Sequence, residues 1–367
     1  MHPDLLYQIA LTLIPSIGPV QVKQLLEHFE PADIFRASRS TLEKIDGMGS
    51  LKADQICAFR DYARAEKEIR FIEQFRIRPL FIKEPAYPRR LLNCYDAPIL
   101  LFYKGEADLN QARIIAVIGT RSNTVYGKMV TEKLIADLKE QQVLVVSGLA
   151  FGIDAIAHKA ALKNALPTVG VLAHGLDQVY PSAHQSLARE IVGNGGGLLT
   201  EFSSRTRPER FNFPLRNRIV AGLSDAVIVA ETDVRGGSMI TAELANGYNR
   251  DVFVFPGRTN DPKSTGCNRL VRQNKGILLQ DGKGLLEMMN WDDHAPEKLT
   301  QPELFQQLEP DEQQLFDILK DGSALPIDEI YRRTGIGTGR VASAILGLEL
   351  KNLLLSLPGK LYRLSGA

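Results

Sequence analysis

The chain has 367 residues, is 44% hydrophobic and carries a formal net charge of +1; it predicts two or three soluble domains, since single cores rarely grow past about 250–300 residues. That balance excludes a global field for a polyanion, so any basic site must be local. Three cysteines without a CxxC pair exclude a disulfide framework and a zinc site, and no run reaches the roughly 18–20 apolar residues of a membrane span, so a cytoplasmic protein without resident metal or cofactor is expected.

Residues 1–80 read as short helices. The turns Ile14-Pro15-Ser16-Ile17-Gly18-Pro19 and Ile45-Asp46-Gly47-Met48-Gly49-Ser50 each separate two apolar-periodic stretches. This predicts an all-α helix-hairpin-helix (SAM-like) domain, whose glycine turns aim amides at a DNA phosphate without reading sequence. A compact packing module whose glycines only make turns fits equally well, because Lys23, His28 and Lys52 are a thin supply of cations. From about 80 to 106 the chain is rich in Pro and aromatics and contains the apolar run Pro98–Tyr103. It reads as an extended connector or an added edge strand.

From 107 to about 290, apolar runs alternate with helical patterns. The runs are Arg113–Ile118, Val143–Val146, Thr168–Leu172, Gly197–Thr200, Ala226–Ala230 and Val252–Phe255; Lys128–Glu140, Ala155–Asn164, Ala183–Val192 and Thr241–Tyr248 are among the helical patterns. Such alternation predicts an α/β, Rossmann-like doubly wound parallel sheet covered on both faces, within a domain spanning 81–290. A polar segment, 291–308, reads as a linker. In the tail (309–367), Asp311–Leu319, Ile327–Thr334 and Arg340–Lys351 read as three helices, and Leu353–Leu357 and Lys360–Leu364 as a hairpin across Pro358-Gly359. Three helices and a hairpin make a winged helix.

The central domain lacks GxGxxG, GxxxxGK[ST] and GxSxG patterns, so dinucleotide, P-loop and α/β-hydrolase chemistry lose their supports. His158, His174 and His184 are not at metal spacing and are expected to cap, pack or hydrogen-bond. Small polar residues instead follow several strand ends: Gly119-Thr120-Arg121, Ser147-Gly148-Leu149-Ala150 and Gly236-Gly237-Ser238 ahead of Thr241. Ligands of open parallel sheets sit outside strand C-termini, where such loops bring amides, hydroxyls and here a guanidinium toward an anion. Residues 203–218 add Arg205, Arg207, Arg210, Arg216 and Arg218 against one acid, Glu209, with Phe202, Phe211 and Phe213 near or among them. Guanidinium groups beside aromatics are what a single-strand groove needs.

The runs Gly119-Thr120-Arg121, Ser147 to Asp154, Phe213 to Ser224, Gly237 to Ala242, Val252 to Gly257 and Gly266 to Leu270, taken in order, resemble the DprA/Smf family. The flanking helical and winged-helix segments look like those of its three-part members. The resemblance implies a DNA-processing protein of natural transformation that binds and protects single-stranded DNA and loads the RecA recombinase, generally as a homodimer. Arg121 and Arg216-Asn217-Arg218 would then line the groove, with Gly148, Gly237 and Ser238 offering backbone or hydroxyl contacts. Gly119, Thr120, Ser147, Arg210, Asn212, Phe213 and Thr241 complete the candidate nucleic-acid-binding set, and no catalytic residue is expected.

Two other readings compete. Gly236-Gly237 and Glu243 echo the GGxGTxxE signature of Rossmann-like nucleotide phosphoribohydrolases, but Met239 stands where the signature has Gly and the Thr is displaced by one. The carboxylate of Glu243 would equally offset a helix dipole. Alternatively the winged helix reads DNA; its recognition helix, however, offers mainly Arg340 and Lys351, too few cations for that task.

Overall fold

In the computed structural model, residues 3–291, 308–320, 324–351, 353–357 and 359–364 are described. The chain divides into two units between Trp291 and Asp292. The predicted linker lies outside the described residues except for Trp291, Leu308 and the boundary they mark.

The continuous apolar run at Ile114 can be satisfied only by burial on both sides, and the first unit supplies this. Its sheet has nine strands: β1 (Arg78–Phe81), β2 (Leu100–Gly105), β3 (Ile114–Gly119), β4 (Leu144–Ser147), β5 (Thr168–Val171), β6 (Gly197–Thr200), β7 (Ala226–Glu231), β8 (Asp251–Val254) and β9 (Ile277–Leu278). They lie in the order β1-β2-β6-β5-β4-β3-β7-β8-β9. Strands β3 to β9 pair in parallel, while β2 runs antiparallel to both β1 and β6. Because strand side chains alternate between faces, Ile114, Ala116 and Ile118 enter one core with Ile219, Val220 and Leu223. Ile115 and Val117 enter another with Val130, Leu134 and Ile153. The doubly wound expectation holds: the chain crosses from β6 to β7, and the two halves of the sheet meet between β3 and β7.

The segment 80–106 takes the edge-strand form of its two expected readings. It does more than close an edge: Phe81, Ile99, Leu100 and Phe102 join the core of the N-terminal helices, among them Ile9, Leu25, Leu42 and Ile56. Helices Pro19–His28 and Ser50–Ala58 start directly after Gly18 and Gly49. Their two lysines are engaged with backbone. Lys23 Nζ donates to the carbonyls of Cys94 (3.2 Å) and Tyr95 (3.0 Å), and Lys52 Nζ to that of Gly47 (2.9 Å). Of the two readings for the hairpins, this geometry favours packing.

In the second unit, helices Pro310–Leu319, Ile327–Thr334 and Thr338–Leu350 pack through Leu315, Ile330, Val341 and Leu348. A small antiparallel sheet of β10 (Leu325–Pro326), β12 (Leu361–Leu364) and β11 (Leu354–Leu357) completes a winged helix. Its recognition-helix cations are compensated internally: Arg340 pairs with Asp311, and Lys351 Nζ lies 2.5 Å from Glu312. The Lys351 ammonium, aided by the Glu309 amide, holds the Glu312 carboxyl below the ordinary carboxylate range.

Candidate nucleic-acid interface

Strands β3 and β7 end side by side at the point where the sheet reverses its order, the place where open α/β sheets bind ligands. A cavity of about 650 Å³ opens there, lined by Gly119, Thr120, Arg121, Gly148, Arg210, Phe213, Arg216, Asn217, Gly237, Ser238 and Thr241 from the sequence-derived set. Residues from four separate loops thus converge on one crevice.

One wall is the start of helix Gly237–Gly247; the Met239 amide there already donates to the Gly236 carbonyl (3.1 Å), and the helix dipole at this end favours an anion. Its hydroxyls are less free than the sequence suggested. Ser238 Oγ lies 2.7 Å from Thr232 Oγ1, and Thr241 Oγ1 donates to the Gly237 carbonyl (3.2 Å). Asn217 Nδ2 donates to the same carbonyl (3.3 Å), tying this turn to helix Asn212–Leu223.

The rim is cationic. Arg121, Arg210 and Arg235 are exposed, and among the described residues none of the three takes part in an ion pair. The Arg121 guanidinium lies 5.3 Å from the centre of the Phe213 ring, a cation–π contact that leaves its donors available. Arg235 was missed in the sequence, although its place just before Gly236-Gly237 at a strand end follows the rule that singled out Arg121.

The floor is another matter. Arg216 is only 4% exposed and donates to the carbonyls of Gly148 and Val171. A Cβ at Gly148 would collide with this guanidinium, so glycine is required there by close approach rather than by a ligand. Burial pushes the Asp154 carboxyl up, opposed by the Arg216 charge, and burial pulls the Arg216 guanidinium down. Arginine stays charged under such a shift, so the floor is a compensated Arg216–Asp154 arrangement with limited capacity for a further anion.

Three candidates lie outside the cavity. Arg218 points away from it: it is 6% exposed, forms an ion pair with Glu201 and donates to the Asp96 carbonyl. Residues two apart on a helix project about 200° from each other, so Arg216 and Arg218 do not share a groove. Ser147 is fully buried and donates to the Val117 carbonyl (2.6 Å). Asn212 Nδ2 donates to the Arg207 carbonyl (3.1 Å), shaping the arginine loop from within.

The loop carrying Arg210 is fastened from the N-terminal helices. Glu68, 2% exposed on helix Tyr62–Phe75, accepts from the Ser204 amide (2.9 and 3.0 Å) and hydroxyl (2.7 Å). Arg64 bonds both Glu68 (3.0 Å) and the Ser204 carbonyl. The histidines act structurally. His158 Nδ1 is 2.7 Å from Thr168 Oγ1, His174 Nε2 accepts from the Tyr180 amide (3.1 Å), and His184 Nδ1 donates to the Leu149 carbonyl (2.9 Å). Glu243 is exposed, lies 3.7 Å from Lys275 and is not among the residues lining the cavity.

Comparison with known proteins places this architecture. The model of the family described as DNA recombination-mediator protein A matches residues 78–290, that of the DprA winged helix domain 298–360, and a SAM-like helix-hairpin-helix tandem 9–60. Protein Smf of Synechocystis is 30% identical over 97% of this chain and 98% of its own length. DNA processing protein DprA of Streptococcus pneumoniae is 45% identical over 56% of this chain and 73% of its own. The crystal structure of the S. pneumoniae protein covers 77% of this chain and 97% of its own, at 35% identity and a TM-score of 0.67. A Helicobacter pylori DprA structure, described by its single-stranded DNA binding mode, covers 59% of this chain and 97% of its own at 31% identity and a TM-score of 0.54. With its central domain matched from end to end and a relative aligned over nearly its whole length, the chain belongs to the DprA/Smf family of DNA recombination-mediator proteins.

Proposed function

We propose that the crevice between β3 and β7 holds the backbone of single-stranded DNA without reading sequence, and that the protein works by binding and hand-off rather than by catalysis. The observation that carries this reading is the set of exposed guanidinium groups, Arg121, Arg210 and Arg235, which form no ion pair among the described residues, around the N-terminal end of a helix. Such a rim neutralises phosphates while leaving bases unselected. The single-stranded DNA binding named for the H. pylori relative supports it. The hand-off is to the RecA recombinase, and a homodimer places two crevices on one strand and raises avidity; both belong to the reading through family membership. The compensated winged-helix cations and the outward position of Glu243 leave the crevice as the better-equipped DNA site.

Fluorescence anisotropy with labelled oligothymidine and a matched duplex over a salt series tests this. Single strands should bind more tightly than duplex, with affinity falling steeply as salt rises. Equal affinity for both, or a flat salt response, rejects it.

A further inference from the structure

Beside the cationic crevice lies a smaller recess that shares Arg121, Gly148, Phe213 and Arg216 with it and adds Phe151, Tyr180 and Pro181. Phe151 and Tyr180 are aromatic residues left half in solvent, 49% and 48% exposed. Both are held in place. The Phe151 ring packs edge-on against buried His184, with centroids 4.9 Å apart, and His184 is itself anchored to the Leu149 carbonyl. The Tyr180 backbone is fixed by His174 Nε2, and its ring meets Phe213 at 6.1 Å and 58°. A tilted pair at this spacing leaves no slot for a base between the rings, but it does present their outer faces.

From these observations we infer that Phe151 and Tyr180 form a stacking shelf for nucleobases of the strand whose phosphates occupy the crevice. The inference rests on the single-strand reading above. Its geometry follows from the way single strands are bound, with a cationic track on one side and aromatic faces on the other. Arg235 and the N-terminal end of helix Gly237–Gly247 form the phosphate side. Arg121 stands where the crevice and the recess meet, its guanidinium over Phe213. Fixed rings lose little freedom on binding, which favours affinity. The shelf also reassigns the aromatic role: Phe202 and Phe211, singled out from the sequence, line neither space, whereas Phe151 and Tyr180 stand at the edge of the phosphate site.

The test compares labelled oligothymidine with an abasic strand of equal length, for wild type, Phe151→Leu, Tyr180→Leu and the double variant, with thermal melting as the folding control. The double variant should bind oligothymidine roughly tenfold more weakly, within the range measured for loss of base–aromatic stacking, and should bind the abasic strand like wild type. Unchanged oligothymidine affinity overturns the shelf. So does an equal loss on both strands, which would mean a distorted phosphate site. Failure of the wild type to bind either strand would instead overturn the single-strand reading itself. If a leucine variant melts early, Phe151→Tyr and Tyr180→Phe, which keep the aromatic faces, should restore wild-type affinity; a persistent loss there also counts against the shelf.

Discussion

Two groups of arginines, drawn from neighbouring loops and one helix, meet opposite fates in this molecule. Arg216 and Arg218 sit two residues apart in a motif that reads as a basic stripe, yet each is buried and committed to carbonyls or to Glu201. Arg121, Arg210 and Arg235 are scattered through the chain, yet they stand exposed around one crevice, without ion-pair partners among the described residues. The first group fastens helix Asn212–Leu223 to the sheet and to the loops at its end; the second is free to meet phosphate. Density of cations in a sequence is therefore a poor guide to which charges a ligand can use.

The contrast is broken most directly by removing a charge from the buried group. Arg218→Ala leaves Glu201, its side chain only 14% exposed, without its ion-pair partner, so a loss of about 3–5 kcal/mol is expected in chemical denaturation. This revises the expectation from the family resemblance that Arg218 lines the groove. A denaturation midpoint equal to wild type would return Arg218 to the ligand side of the comparison.

Next in size is a protonation effect beneath the crevice. Burial, the largest cause, together with the His184 and Arg216 charges holds His158 down at about 3. A histidine whose folded value is depressed contributes full stability above the unfolded value of about 6.5; below it the unfolded chain takes up a proton that the folded one does not. Stability should fall by about 2 kcal/mol from this group between pH 7 and 5. His158→Gln should remove roughly one proton from the pH dependence of unfolding over that range. His174, also lowered by burial, adds to the same slope in both proteins. An identical slope in the variant contradicts the account.

Glu68→Ala sharpens the comparison from the other side, since it touches neither group directly. Loss of the Ser204 clamp should cost about 1–3 kcal/mol, the range for stranding buried polar partners. It should also release the Arg210 loop and weaken single-strand binding. In a double-mutant cycle, Arg210→Ala should then cost less affinity in the Glu68→Ala background than in wild type; full additivity would separate the clamp from the loop. The smallest effect is expected at Glu243→Gln. An exposed carboxylate near Lys275 should change neither folding by more than about 0.5 kcal/mol nor DNA affinity. Release of free base from a nucleoside monophosphate by wild type but not by this variant would revive the hydrolase reading.

Much of this architecture is legible in the sequence. Strands β3 to β8 fall within about a residue of their apolar runs, because buried parallel strands must be continuously apolar. The loops at Gly119 and Gly237 announce themselves as glycine turns at strand ends. Strands β1 and β2 leave a weaker signal: their segment is broken by prolines, and its apolar face serves the helical core as well as the sheet. The fate of Arg216 and Arg218 depends on helix Asn212–Leu223 being packed on more than one side, a tertiary fact with no local signature. Their spacing alone, however, forbids a common face. Arg235 obeys the same rule as Arg121, a cation beside a glycine turn beyond a strand end, here after β7. Glu68 is invisible from sequence, since its partner Ser204 lies in a distant loop.

The central claim, that the exposed rim holds the strand, is tested by the triple variant Arg121→Ala, Arg210→Ala, Arg235→Ala, assayed for oligothymidine affinity across a salt series beside its thermal unfolding. If three phosphate contacts are lost, affinity should drop at least tenfold at low salt, and the slope of log affinity against log salt should flatten by about 2. Unfolding should stay close to wild type, since all three side chains are exposed. Wild-type affinity and slope in a folded triple variant would contradict the account.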